Sequence, residues 1–66
     1  GENMKHYIVT YEDRLWLSYA HNPKEAIFQV ITEHKVDGDW HDFIARSVGS
    51  IVNQMGKCVE FKVVDA

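Results

Sequence analysis

The hydrophobic pattern changes period at one well-marked junction, Ala20-His21-Asn22-Pro23-Lys24-Glu25. Before it, apolar and aromatic residues alternate, the period of a strand; after it, Ala26, Ile27, Val30, Ile31 and His34 recur at helical spacing. The junction is also punctuated. Asn22 is a favoured helix N-cap, and Pro23 is favoured at the first helical position. Glu25 stands three residues beyond Asn22, where its carboxylate can reach back to the cap's amide. Such a chain folds as strands feeding a helix, predicted here over 23–35.

Residues 5–11 and 15–20 read as the two strands of a hairpin, broken by Glu12-Asp13-Arg14. Alternation then predicts Tyr7, Val9, Tyr11, Leu15, Leu17 and Tyr19 facing inward. His6, Ile8, Thr10, Trp16 and Ser18 are expected to face outward. Asp37-Gly38-Asp39 reads as a turn, with Asp39 able to cap a further helix. Trp40, Ile44, Val48, Ile51 and Met55 recur every three or four residues and predict that second helix over 40–55, stopped at Gly56. Residues 58–64 alternate again as a third strand, with Val59, Phe61 and Val63 inward and Cys58, Glu60 and Lys62 outward.

The expected class is α+β: a three-stranded sheet with two helices packed on one face, in the order β-β-α-α-β. The expected core holds Val9, Leu17, Ile27, Val30, Ile31, Ile44, Val48, Ile51, Phe61 and Val63. The last strand would run antiparallel beside the second strand or parallel beside the first, and the sequence leaves that open. Residues 1–3 precede Met4, which reads as a natural start, so 4–66 is taken as a single small domain.

The 66 residues suit one domain, burying only roughly 60% of the surface the unfolded chain exposes. No stretch approaches the ~18 consecutive apolar residues of a membrane helix, and Met4-Lys5-His6 leads into alternation rather than a signal-peptide run. The single cysteine, Cys58, suits a reducing cytoplasm, since small secreted domains are usually stapled by several disulfides. Net charge is −3 and the basic residues are scattered, which argues against nucleic acid as a partner.

Chemistry-bearing residues are few. Glu33, His34, Asp37, Asp39, His41 and Asp42 lie close in sequence, but His34 and His41 lack the paired Cys/His spacing of structural zinc. Counting a calcium loop from Asp37 puts Asp42 where glycine is needed and Val48 where glutamate is needed. Cap and turn roles account for these residues, and no metal or cofactor is expected. His34, near the end of the first helix, reads as a partly buried histidine favoured by the helix dipole. Cys58 lacks an evident activating base, phosphate-binding glycine loops are absent, and no enzyme is expected. An outward tryptophan on an open sheet is the stronger signal, because such residues concentrate binding energy at interfaces. The candidate protein-binding set is Trp16, Ile8, Thr10, His6, Glu60 and Lys62. Phe28 and Phe43 fall off the main helical stripes and offer further apolar surface.

The run Tyr7-Ile8-Val9-Thr10, with Ala20-His21-Asn22-Pro23-Lys24-Glu25-Ala26-Ile27 after it, resembles a pattern of small bacterial and phage proteins in which a hairpin leads into a capped helix. Over residues 5–34 and the last strand, the layout is similar to the strand-strand-helix-strand inhibitors with which some bacteriophages block host RNA polymerase. This chain departs by its second predicted helix, and by Glu60 and Lys62 where those inhibitors use arginines. The resemblance implies a class: compact, non-catalytic proteins that bind and occlude a larger host protein, as takeover or anti-defence factors. The alternative expectation is a self-associating homodimer.

Overall fold

The structure is a computed structural model that describes residues 3–48 and, by its backbone, the strand at 59–62. It is α+β. β1 (Lys5–Tyr11) and β2 (Arg14–Ala20) form the hairpin, and α1 (Pro23–His34) comes next. A single 3-10 turn (Trp40–Asp42) then leads into β3 (Ile44–Ser47), and β4 (Val59–Lys62) joins the same sheet. The strand order is β3-β1-β2-β4 and every pairing is antiparallel. The last strand thus lies beside the second, and the far side of β1 is taken by β3.

The helix begins as its sequence dictates. The Asn22 side chain accepts the Glu25 amide at 2.8 Å, and the Asn22 carbonyl accepts the Ala26 amide at 3.0 Å. Glu25 does not reach the cap's own amide. Its Oε1 instead accepts the backbone N–H of His21, one residue earlier, at 3.0 Å and stands 2.9 Å from His21 Nδ1. At the other end Lys35 adopts the left-handed conformation (φ 52°, ψ 48°), and its N–H and that of Val36 both turn back to the Ile31 carbonyl. Val36 is buried there, the hydrophobic contact that accompanies this kind of helix stop.

Beyond the Glu25 capping contact, the sheet has four strands rather than the three expected, and two further expectations fail, each for an identifiable reason. The first is the second helix. Asp39 does cap a turn, accepting the His41 amide at 3.0 Å, but Phe43 is extended (φ −90°, ψ 151°) and 44–47 pair with β1. The Ile44-to-Val48 spacing of four residues is one helical turn and also two strand periods, so spacing alone cannot separate them. Ile44, expected in the core, is 54% exposed. The rest of the predicted helix, with Ile51 and Met55, lies outside the described residues, as do Cys58 and Val63.

The second failure is the parity of β2. Tyr11 pairs with Arg14, so the hairpin loop is Glu12-Asp13 alone, and Val9 stands opposite Trp16. Taking Arg14 into the loop shifts the pairing by one residue, and a one-residue shift turns every side chain to the other face. Trp16, Ser18 and Ala20 therefore point at the helix and are fully buried, while Leu15, Leu17 and Tyr19 point away. Two small residues beside the indole let α1 approach closely. The Ser18 hydroxyl donates to Gln29 Oε1 at 2.6 Å with the Ala26 carbonyl 3.3 Å away, and Ala26 is itself fully buried.

The core so formed joins Tyr7, Val9, Trp16, Ala20, Ala26, Ile27, Val30, Val36 and Phe43, with Tyr11, Ile31, Trp40 and Ala45 packed on its margin. Val9, Ile27 and Val30 sit where the sequence pattern puts them. Phe43 is core, not surface.

Candidate functional site

Among the described residues, two surfaces are left once the core is closed. On the sheet, the face turned away from α1 is built by alternation from three described strands. Direct pairing sets His6 beside Tyr19, Ile8 beside Leu17 and Thr10 beside Leu15. On the other side of β1, Arg46 stands beside Ile8 and Ile44 beside Thr10. Directly opposed residues of antiparallel strands share a face. Ile8, Leu15, Leu17 and Tyr19 are thus neighbours on one surface, none belonging to the core cluster. All four are half-buried, and Ile44 and Arg46 are exposed.

The expected binding residues divide. His6, Ile8 and Thr10 lie on this outer face, as predicted. Trp16 does not: it is sealed in the core, 6.2 Å from Phe43 and 6.0 Å from His34 between ring centroids, with the Arg14 guanidinium 4.8 Å over its ring. Its indole Nε1 is buried without a hydrogen-bond acceptor among the described residues. Backbone register sets Glu60 opposite Trp16 and Lys62 opposite Arg14, whereas Val59 and Phe61 stand opposite Leu17 and Leu15. Leu15, Leu17 and Tyr19 are the surface residues that sequence reasoning misses. Reading the hairpin loop as two residues would find them.

His6 tilts against Tyr19 with ring centroids 4.5 Å apart, and its Nε2 is buried without a hydrogen-bond partner among the described residues. The face carries one permanent charge among its described residues, Arg46, and no carboxylate. Acidic groups gather elsewhere. Desolvation, then the carboxylates of Glu12, Asp42, Asp37 and Asp39, hold the Tyr11 hydroxyl above its ordinary pKa. Tyr11 stacks flat on Phe43 at 4.2 Å, so this acidic end is also a packed one.

The second surface is the outward side of α1. Glu25, Phe28, Gln29, Thr32 and Glu33 line a shallow depression of about 300 Å³. Phe28 is 41% exposed and tilts against Trp40, whose ring lies 5.0 Å from Lys24 Nζ. The His41 amide that Asp39 caps, and then the His41 ring with Nδ1 2.8 Å from the carboxylate, draw the Asp39 pKa below its ordinary value. Among the described residues no three His, Cys, Asp or Glu side chains converge as metal ligands. No helix among them is long and apolar enough to cross a membrane.

No protein-family model matches the chain, no curated protein matches its sequence, and no solved structure matches its fold.

Proposed function

We propose that this chain is a small, non-catalytic protein-binding module whose contact surface is the sheet face turned away from α1. The observation that supports this reading is the placement of Ile8, Leu15, Leu17 and Tyr19 together outside the core while a serine and an alanine occupy inward positions of β2. A strand that turns two leucines away from its helix leaves an apolar surface of the sort that marks interaction sites. His6 and Thr10 border it, and Arg46 gives it one charged margin. Compact modules of this kind act by covering a larger protein, and a phage-type inhibitor or anti-defence factor is the role that fits. Trp16 belongs to the core in this reading and makes no contact with the partner.

The test is affinity capture of partners by the wild-type chain and by Leu17→Glu and Ile8→Glu variants. A partner held by the wild type should be lost from both variants and kept by Phe28→Ala on the helix side. Retention by both sheet-face variants would refute the reading. The alternative, a homodimer through the same face, is separated by sedimentation: a dimer that Leu17→Glu converts to monomer would establish it.

A further inference from the structure

β3 is an edge strand among the described residues. The order β3-β1-β2-β4 leaves its far side open within that sheet, and it is only four residues long. Alternate N–H and C=O groups of such a strand point outward with no ladder to join among the described residues, a ready template for another strand. Natural edges are commonly blunted by shortness, proline, lysine or inward charge, and of these β3 has only its shortness. Here Ile44-Ala45-Arg46-Ser47 carries no proline, its one charge lies on the outer face beside Ile8, and Ile44 on the same face is 54% exposed.

Resting on the protein-binding reading above, we infer that the open edge of β3 adds an extended acidic–apolar segment of the partner. A carboxylate of that segment stands against Arg46 and an apolar side chain against Ile44. Strand addition draws affinity from main-chain hydrogen bonds and selectivity from alternate side chains, which here are Ile44 and Arg46 on one face. Charge decides against a second copy as the occupant. An antiparallel β3–β3 pair about a twofold axis keeps equal faces together, and the registers that pair three residues of the four-residue strand centre on Ala45 or on Arg46. The first register sets Arg46 against Ile44 of the other copy, and the second sets two guanidinium groups face to face. Neither supplies the carboxylate, and like charges directly opposite are destabilising.

The experiment uses the full chain, isotope-labelled, titrated with capped peptides of eight residues. One face of the peptide carries valine, glutamate and valine in alternation with threonine; a twin replaces glutamate by lysine. A third version is N-methylated on the amides that would face β3. The glutamate peptide is expected to shift the amides of 44–47 and to bind about fivefold more tightly than the lysine twin. Arg46→Glu should reverse that order, and N-methylation should abolish binding. Equal affinity for the two twins overturns the inference, as does no binding by any peptide. If the methylated peptide still binds and shifts centre on Leu15 and Leu17, the edge site is refuted while the protein-binding reading stands. Amide shifts in β3 that track the chain's own concentration would put a second copy at the edge and equally refute it.

Discussion

Val9 and Trp16 stand directly opposite each other across the first hairpin, and both are fully buried. That pair fixes which face of the sheet meets the helix, and with it which residues the opposite face carries. Trp16→Ala should cost about 3–5 kcal/mol, the range for removing a large aromatic from a core. A domain of this size holds roughly 3–5 kcal/mol in total, so the variant is expected to be unfolded at room temperature. Leu17→Glu, one residue away, should keep the native circular dichroism spectrum. A folded Trp16→Ala beside an unfolded Leu17→Glu would reverse the assignment of faces.

Much of this is legible from residues alone, and the losses have physical causes. Asn22, Pro23 and Glu25 mark the helix start because capping and proline chemistry are local and do not depend on the tertiary fold. Tyr7 and Val9 are placed correctly because β1 alternates without interruption. Trp16 is misplaced because faces on β2 depend on loop length, and the charged run assigns Arg14 to a loop that consists of Glu12 and Asp13. The rule that the more apolar set faces inward then favours Leu15, Leu17 and Tyr19. It fails because α1 approaches closely enough that Ser18 and Ala20 are the residues that fit. The candidate surface inherits that error at Trp16 and escapes it at His6, Ile8 and Thr10. β3 is hidden because Ile44 and Val48 satisfy both periodicities.

Gly38 is required by proximity. A β-carbon added there would lie 2.6 Å from the Tyr11 hydroxyl oxygen and 2.7 Å from the ring carbon that bears it. Tyr11 cannot yield freely, since it is stacked on Phe43. Gly38→Ala should therefore destabilise by about 1–3 kcal/mol, as overpacking typically does. Thermal denaturation measures this, and combining the change with Tyr11→Leu should recover part of the loss. Full stability of Gly38→Ala alone would show that the loop at 37–39 does not press on Tyr11.

Lys35 holds a backbone conformation that glycine adopts with less strain. Its φ of 52° places it in the left-handed region at the helix stop, where the absence of a β-carbon is an advantage. Lys35→Gly is expected to stabilise the domain by about 0.5–1 kcal/mol after allowing for glycine's greater freedom in the unfolded chain. The midpoint of urea unfolding should rise with no change in slope. A fall in the midpoint would mean that the lysine side chain contributes more at the helix end than its backbone strain costs.

Glu25 ties the helix start to the end of β2, and its titration should appear in acid stability. The backbone N–H of His21, then the His21 ring, favour the ionised carboxylate and lower its pKa from the ordinary 4.5. Linkage gives the sign. A carboxyl whose pKa is lower in the folded than in the unfolded state binds fewer protons when folded, so it stabilises the fold at pH above its unfolded value. That contribution is lost as pH falls through the folded pKa. Glu25→Gln keeps an oxygen able to accept the His21 amide but removes the charge. The stability difference between wild type and variant should therefore be present above about pH 5.5 and close as pH drops below about 4. Asp39 is shifted in the same direction by His41 and remains in both proteins, so it cancels from the comparison. Paired urea titrations across that range test the assignment. A gap that stays constant into acid, or widens there, would mean that the Glu25 charge contributes nothing to holding the hairpin against the helix.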